Sequence, residues 1–340
     1  MTPTPTPAEL DALAQAVCAH DRAALARAIT LVESTREADR VAAAALLSQL
    51  RDATPTASHR IGISGAPGAG KSSFIDAFGM GLVAAGHRVA VLAVDPSSVR
   101  SGGSILGDKT RMAQLARHAD AFIRPSPAQG LLGGVARRTR EVIAVCEAAG
   151  FDRIVVETVG VGQSEVEVAE LVDTVVVLLL AGGGDELQGI KRGLLECADV
   201  IVVPKADGDN VTAARQAAAV FQHAIAFVPP RHADWTVPVL TCSAHAGDGM
   251  AQVASAIAAH RDHLVAAGGF ATQRGQQRVR WAQRVARELL VRAFDEDPAV
   301  AEELRHLTPA ITDGAVAVDD AAARLLARFR RGDAETVGGS

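Results

Sequence analysis

Residues 65–72 read Gly65-Ala66-Pro67-Gly68-Ala69-Gly70-Lys71-Ser72, and they lie between a short apolar run and an amphipathic segment with helical periodicity. The glycines let successive backbone N–H groups curl around a β-phosphate, and the N-terminus of the following helix adds its positive dipole end. Lys71 is expected to reach the β- and γ-phosphates, and Ser72 to place its hydroxyl on Mg²⁺. The stretch therefore predicts a nucleoside triphosphate site whose contacts are these eight residues and Ser73.

The composition is that of an ordinary globular chain and argues against several kinds of partner. The 340 residues are 49% hydrophobic and 21% charged, enough for one large α/β domain with helical additions or for two modest domains. Lys and Arg number 34 against 39 Asp and Glu, so there is no excess of positive charge for a polyanion. We therefore expect neither nucleic acid nor a membrane as the main partner.

The beginning of the chain and its apolar runs indicate a cytoplasmic protein. Residues 1–7 alternate Thr and Pro after the initial Met and lack the basic region and apolar core of a signal peptide. The longest apolar run, Val175–Ala181, is shorter than the roughly 20 residues of a membrane helix. Four cysteines and ten histidines are dispersed without ligand spacing, so we expect neither disulfides nor a transition-metal site built by the protein.

From about residue 60 the sequence alternates short β-branched runs with helical stretches. Continuous apolar runs without alternation are typical of parallel strands buried on both faces. The pattern predicts an α/β fold with a mostly parallel central sheet flanked by helices. The expected strands are Arg60–Ser64, Val89–Val94, Ala121–Ile123, Ile154–Val156, Thr174–Ala181, Val200–Val203 and Val237–Thr241. The expected helices lie near 71–86, 109–118, 132–149, 185–197, 210–225 and 248–267.

Helical periodicity at both ends of the chain adds two flanking segments. Two or three helices are expected before the sheet, within residues 8–50. After residue 269 the sequence is rich in Arg and Gln, and an apolar stripe includes Trp281 and Leu289. We expect an oligomerisation arm there, with a helical cap on the core as the alternative. The predicted organisation is an N-terminal helical segment (1–55), a P-loop domain (56–268) and a C-terminal helical arm (269–340).

Acidic residues follow the expected strands, near the position of the phosphates. Asp95 ends the second strand and is expected to bind the Mg²⁺ shell or orient water, with a solvated turn as the alternative. A polar, glycine-rich loop continues to Asp108, a second metal candidate, and is of the kind that reorders around a γ-phosphate. Another strand ends at Glu157, expected near the metal, and Gly160 beyond it could offer its N–H to the γ-phosphate. Asp95, Asp108 and Glu157 are therefore separate candidates for a metal site, and Gly160 is a candidate phosphate contact.

The segment Pro204-Lys205-Ala206-Asp207 follows the Val200–Val203 strand and is expected to read a guanine base. The usual pattern is Asn-Lys-x-Asp, in which the Asp accepts from ring and amine N–H groups that adenine does not present in the same way. Proline replaces the Asn here, and loss of one polar contact costs on the order of 1 kcal/mol, so Asp207 is expected to keep guanine selectivity. Ser243 and Ala244 follow the last strand and fit a loop that backs the base.

Several longer strings make the chain resemble one family. They are 94–98 (Val-Asp-Pro-Ser-Ser), 101–112 (Ser-Gly-Gly-Ser-Ile-Leu-Gly-Asp-Lys-Thr-Arg-Met), 124–127 (Arg-Pro-Ser-Pro), 133–136 (Gly-Gly-Val-Ala), 157–163 (Glu-Thr-Val-Gly-Val-Gly-Gln) and 182–191 (Gly-Gly-Gly-Asp-Glu-Leu-Gln-Gly-Ile-Lys). Together they resemble the MeaB-type, or methylmalonic aciduria type A, family of P-loop GTPase chaperones for adenosylcobalamin-dependent acyl-CoA mutases. The resemblance covers roughly residues 55–265 in detail.

This resemblance implies a SIMIBI-class GTPase, usually a homodimer, that binds GTP/GDP and Mg²⁺. It would gate cofactor loading of a methylmalonyl-CoA mutase, or a relative such as the isobutyryl-CoA or 2-hydroxyisobutyryl-CoA enzyme, and protect it from inactivation. Low intrinsic hydrolysis would be stimulated by the mutase. By the same resemblance, the metal ligands are Ser72, Asp95, Asp108 and Glu157, and the catalytic set is Lys71, Asp95, Asp108, Glu157 and Arg111. The implied switch that couples to the partner comprises Gly182, Gly183, Gly184, Asp185, Gln188 and Lys191.

Two other functions use the same phosphate loop. A P-loop kinase linked to basic amino-acid transport would need an acceptor pocket and a catalytic base, for which the sequence offers no separate candidate. A metal-inserting GTPase should carry a cluster rich in Cys or His, which the sequence pattern does not show. Arg138 is a further candidate for stabilising transition-state charge, with a solvated position on a helix as the alternative.

Overall fold

The structure, a computed structural model, describes residues 5–34, 36–51, 58–95, 112–127, 134–158, 168–181, 192–232 and 234–337. Within these ranges only the backbone is described at 94–95, 126–127, 134–137, 192 and 331–337. Contacts divide the chain into two compact units, Met1–Ala271 and Thr272–Ser340. The division of the sequence at 55 and 268 stays a prediction.

The first unit is built on a seven-stranded sheet in which every strand pair is parallel. The spatial order is β3-β2-β4-β1-β5-β6-β7, so β1 is central. Side chains on both faces of β5 and β6 are buried, as expected of continuous apolar runs in a parallel sheet. The strands are β1 (His59–Gly65), β2 (Val89–Asp95), β3 (Ala121–Pro127), β4 (Arg153–Glu157), β5 (Thr174–Leu178), β6 (Val200–Val203) and β7 (Val239–Thr241).

Helices precede, flank and follow the sheet. The first begins with a capping box in which Thr6 and Glu9 satisfy each other's backbone N–H groups, and Pro7 stands at its first position. The α-helices are α1 (Pro7–Cys18), α2 (Arg22–Glu33), α3 (Glu37–Arg51), α4 (Lys71–Ala84), α5 (Gly134–Ala148), α6 (Arg192–Glu196), α7 (Val211–Ile225), α8 (Met250–Ala266), α9 (Gly269–Glu296), α10 (Pro298–Thr312) and α11 (Val318–Val337). Within the described residues, no helix is long and apolar enough to cross a membrane.

The core of the first unit joins α4 and α8 to one face of the sheet. Phe74 and Phe78 of α4 are buried, with stacked rings 5.7 Å apart, and pack among Ile63, Val176 and Val202. Packing against the central strand fixes the position of the N-terminus of α4. The loop between β1 and α4 therefore lies at the carboxyl edge of the sheet.

One predicted helix differs from the structure. The described part of the 109–118 segment contains a turn and a single turn of 3₁₀-helix, Leu115–Arg117. Asp76 of α4 accepts the backbone N–H of Leu115 at 2.8 Å, and the Leu115 side chain packs against Gly79. A Cβ at Gly79 would lie 2.5 Å from Leu115 Cδ2, so this glycine permits the close approach. Tertiary contacts with α4 thus override the local helical pattern.

Candidate functional site: a phosphate loop beside a base-reading loop

The phosphate loop requires glycine at two positions for different reasons. Gly65 has φ 149°, and a Cβ there would lie 2.4 Å from the carbonyl oxygen of Leu178 on β5. Gly70 has φ 84° and forms the N-cap of α4 without a side-chain hydrogen bond. The loop therefore lies against β5 at one end and turns directly into a helix N-terminus at the other, which is the arrangement that binds phosphate.

Two lysines donate to carbonyl oxygens of this loop. Lys71 Nζ lies 2.8 Å from Gly65 O and 3.2 Å from Ala66 O. Lys205 Nζ, from the predicted base-reading segment, donates to Gly68 O at 2.9 Å. Lys71 is placed to exchange its carbonyl partners for phosphate oxygens, whereas Lys205 ties the base-reading segment to the phosphate loop.

Ser72 and Glu157 come together as the sequence predicted for a magnesium site. Ser72 lies in the first turn of α4, and Glu157 ends β4, the neighbour of β1 in the sheet. The Ser72 hydroxyl donates to Glu157 Oε1 at 3.3 Å. Two hard oxygen ligands beside a phosphate loop fit Mg²⁺, which keeps several waters and takes few protein ligands. These residues would hold the ion, and the ion would neutralise charge on the phosphate oxygens.

The predicted base-reading residues also meet. Asp207 follows β6 and Ser243 follows β7, and the Ser243 hydroxyl donates to Asp207 Oδ2. Ser243 Oγ in turn accepts the backbone N–H of Ala246 at 2.9 Å, and Ala244 lies in the same loop. The Ser243 hydroxyl, itself held by the Ala246 N–H, thus orients the Asp207 carboxylate. A carboxylate held in this way could accept hydrogen bonds from N–H groups of a base.

A neighbouring residue supports the segment in which proline replaced the expected Asn. Pro204 is buried, and Lys205 adopts φ 60°, a left-handed conformation that is uncommon outside glycine. The Asn210 side chain donates through Nδ2 to Lys205 O at 2.7 Å. Asn210 was not predicted as a site residue from the sequence, although it lies only a few residues after Asp207. Its amide holds the carbonyl group of the left-handed residue Lys205.

Several predicted site residues lie outside the description. The side chain of Asp95 is not described, although its backbone ends β2 at the carboxyl edge. The residues outside the described ranges are Asp108, Arg111, Gly160, Gly182, Gly183, Gly184, Asp185, Gln188 and Lys191. Ser73 is described and exposed in the first turn of α4, and Arg138 is half-buried on α5.

A second polar cluster, missed in the sequence, lies at the opposite edge of the sheet. Asp199 precedes β6, His232 lies in the connection to β7, and His260 belongs to α8. Burial raises the pKa of Asp199 to about 6, against the opposing effect of Arg231. Burial also lowers the pKa of His232 to about 4 and that of His260 to about 2. The sequence did not indicate this cluster, because no sequence spacing connects these three residues.

The parallel sheet, the phosphate loop between β1 and α4, and the Ser72–Glu157 pair define a P-loop nucleoside triphosphatase. The crystal structure of a LAO/AO transport system kinase has the same fold, with a TM-score of 0.77 and 35% sequence identity, covering 96% of this chain and 99% of the other. The sequence model of the family described as methylmalonyl Co-A mutase-associated GTPase MeaB matches residues 25–299, and the chain belongs to this family.

Relatives extend the similarity over almost the whole chain. A protein of Caulobacter vibrioides that bears the name of a GTPase is 55% identical over 321 residues, covering 94% of this chain and 98% of the relative. The mouse mitochondrial methylmalonic aciduria type A homolog is 44% identical over 318 residues, covering 91% of this chain and 77% of the relative. The family expected from the sequence strings is confirmed.

Proposed function

We propose that this chain is a GTP-hydrolysing chaperone that gates adenosylcobalamin loading of an acyl-CoA mutase and protects that enzyme from inactivation. The observation that carries the proposal is the family match over residues 25–299. The described contacts of Lys205 with Gly68 O and of Ser243 with Asp207 support it. The mutase would be the methylmalonyl-CoA enzyme or a close relative, such as the isobutyryl-CoA or 2-hydroxyisobutyryl-CoA mutase.

Nucleotide selection rests on Asp207. A carboxylate accepts from the guanine ring N–H and exocyclic amine, whereas adenine offers no matching pair of donors to it. The contact from Ser243 holds Asp207 in place, and Lys205 connects this segment to Gly68 of the phosphate loop. A guanine base held at Asp207 would therefore be coupled mechanically to the loop that holds its own phosphates.

Hydrolysis would be slow in the free protein and faster with the mutase. Phosphoryl transfer depends on positioning and charge neutralisation. If the partner positions some of the catalytic groups, GTP stays bound and unhydrolysed until the partner binds. Lys71 contacts the phosphate loop through Gly65 O, and the Ser72 hydroxyl contacts Glu157. We assign the partner-dependent part of the site to Asp95, Asp108 and Arg111, and the relay to the 182–191 loop.

The C-terminal helices are proposed to form the contact of a cytoplasmic homodimer. In the second unit, Phe294 and Phe329 meet edge to face with ring centroids 5.5 Å apart, so α9 and α11 pack on each other. Leu289, Leu290 and Val291 of α9 nevertheless stay 52%, 59% and 58% exposed. Three adjacent exposed apolar side chains on one helix support a second copy as their partner.

A kinase linked to basic amino-acid transport is the second candidate, and the name of the similar solved structure is the observation that favours it. Such a kinase would transfer phosphate to an added acceptor, whereas a chaperone GTPase transfers it to water. The two functions therefore differ in the product that carries the phosphate.

The test is nucleotide turnover by the purified protein, alone and with a cobalamin-dependent acyl-CoA mutase from the same organism, using ATP as the control. The proposal expects inorganic phosphate from GTP, a marked acceleration by the mutase, and little turnover of ATP. Equal turnover of ATP and GTP with no effect of the mutase would overturn it. Stoichiometric transfer of phosphate to an added basic amino acid or protein would support the kinase instead.

A further inference from the structure

Three side chains, two of them fully buried, converge at the amino edge of the sheet, which is the edge opposite the phosphate loop. Asp199 directly precedes β6 and is fully buried, as is His260 on α8. His232, with 16% of its side chain exposed, reaches them from the connection between α7 and β7. One ligand atom from each lies within 4.8 Å of those from the other two.

The two carboxylate oxygens of Asp199 have different surroundings. Oδ2 accepts from the Val175 backbone N–H at 2.8 Å and from Arg231 Nη1 at 2.9 Å. Oδ1 is buried and accepts no hydrogen bond from any described residue. A buried polar atom left in this condition costs about 1–3 kcal/mol. The carboxylate is therefore held in place through Oδ2, and its other oxygen points at the two histidines.

The histidine nitrogens that face Oδ1 are likewise buried without a hydrogen bond to any described residue. His232 Nε2 and His260 Nε2 each lie 3.5 Å from Asp199 Oδ1. Both nitrogens are buried and, as far as the described ranges extend, form no hydrogen bond. A charge-assisted hydrogen bond would bring the atoms to roughly 2.7–2.9 Å. Three potential ligand atoms thus surround one point without bonding to one another.

The spacing fits a tetrahedral metal centre. Zinc lies about 2.0–2.1 Å from imidazole nitrogen and about 2.0–2.2 Å from carboxylate oxygen, so tetrahedral ligand atoms are about 3.4 Å apart. The two observed separations of 3.5 Å agree with that value. Two imidazoles with one carboxylate suit a transition metal, whereas Mg²⁺ and Ca²⁺ prefer several oxygen ligands. Arg231 lies 2.9 Å from Oδ2 and neutralises part of the carboxylate charge, which further disfavours Mg²⁺ and Ca²⁺.

An outer layer of contacts orients the ligands. His260 Nδ1 lies 2.8 Å from Thr174 Oγ1, which lies 2.8 Å from His59 Nε2. When Thr174 accepts from Nδ1–H and donates to His59, His260 Nε2 carries a lone pair toward Asp199. Trp235 donates through Nε1 to Asp199 O at 2.8 Å, and its ring lies 4.9 Å from that of His260. Hydrogen bonds of this kind fix the tautomer and direction of metal-binding histidines.

We propose that Asp199 Oδ1, His232 Nε2 and His260 Nε2 bind a divalent transition-metal ion of the zinc class, separate from the magnesium of the nucleotide. Three protein ligands leave the fourth position to water. The ion ties the connection that carries His232 to β6 and α8. Because the site lies at the amino edge of the sheet, its role is structural and independent of the phosphate chemistry.

The test uses the full chain, stripped of metal with a chelator and saturated with Mg²⁺ and GDP. Zn²⁺ is then added in isothermal titration calorimetry, and bound metal is counted by mass spectrometry. We expect one tight equivalent. His232→Ala should weaken Zn²⁺ binding at least about 10–100-fold, because losing only a residue that hydrogen-bonds to a metal ligand already has an effect of that size. His223→Ala, which alters an exposed histidine on α7, is the matched control and should bind like the wild type.

A second measurement uses only the wild-type protein, so its result does not depend on whether a variant folds. Co²⁺ added to the stripped wild-type protein should give the intense visible absorption of a tetrahedral site, and Zn²⁺ should abolish it. The proposal would be overturned if the wild-type protein took up no equivalent of Zn²⁺. It would also be overturned if the His232→Ala variant bound Zn²⁺ as tightly as the wild type. A Co²⁺ spectrum typical of an octahedral, water-rich site would overturn it as well.

Discussion

Replacement of Asn210 by Ala should weaken guanine-nucleotide binding, since its amide supports the backbone of the base-reading segment. Asn210 Nδ2 donates to Lys205 O at 2.7 Å, and Lys205 has φ 60°. A left-handed conformation at a residue other than glycine costs on the order of 1–3 kcal/mol and persists only where its surroundings enforce it. Pro204 cannot help with a backbone N–H of its own. Asn210 therefore replaces part of the support that an Asn at 204 would give.

The size of the effect follows from one hydrogen bond. Its net value is about 0.5–1.5 kcal/mol, and its loss lowers the fraction of molecules whose base-reading segment is ordered for binding. The Kd for GDP should therefore rise about 2- to 12-fold. Because Asn210 is only partly buried, the melting temperature of the nucleotide-free protein should change little.

Displacement of a fluorescent guanine nucleotide measures this Kd directly. Asp209→Ala is the matched control, since Asp209 is exposed in the 3₁₀ turn Gly208–Asn210, which also contains Asn210. An unchanged Kd in Asn210→Ala, or an equal loss in Asp209→Ala, would refute the reasoning. A large fall in melting temperature would show that Asn210 supports the fold instead of the site.

Three further changes test other parts of the site. Gly65→Ala places a Cβ 2.4 Å from Leu178 O at φ 149°, so GDP affinity should fall at least about 100-fold, and a titration that gives the wild-type Kd would contradict the loop geometry. Asp207→Asn removes a charged acceptor worth about 1.5–3 kcal/mol, so competition binding should show GTP affinity reduced about 10- to 150-fold and xanthosine triphosphate favoured. Ser72→Ala should raise the Mg²⁺ concentration at half-maximal hydrolysis several-fold, and an unchanged midpoint would exclude its hydroxyl as a ligand.

The sheet was predictable because its signal is local. Each strand is a short β-branched run, and all seven predicted runs coincide with strands of the structure to within a few residues. The prediction of a helix at 109–118 was wrong because residues distant in the sequence determine the conformation of its described part. Asp76 and Gly79 of α4 decide the conformation at Leu115, and no window of sequence around Leu115 contains them.

The site was predictable where function imposes a motif. The phosphate loop, Glu157, Asp207 and Ser243 were proposed as site residues from the sequence. The structure brings Ser72 into contact with Glu157 and Ser243 into contact with Asp207, and their roles stay predictions. The cross-connection from Lys205 to Gly68 O could not be read in this way, because it depends on how β6 lies relative to β1.

The second cluster was beyond the reach of sequence reasoning for the same reason. Asp199, His232 and His260 belong to three different elements, and each alone is an ordinary residue of its segment. Only the parallel order of β5, β6 and β7, with α8 packed beside them, brings the three side chains to one point.

Under the proposed function, the nucleotide state of this protein controls cofactor loading of a mutase. The measurement is the rate at which apo-mutase acquires adenosylcobalamin, followed by absorbance, with the protein holding GTP, GDP or a non-hydrolysable GTP analogue. Lys71→Ala serves as the variant that has lost its phosphate contact. Loading rates should differ clearly between GTP and the analogue, and no such difference should be seen with Lys71→Ala. Equal loading rates in every nucleotide state would contradict the proposed function.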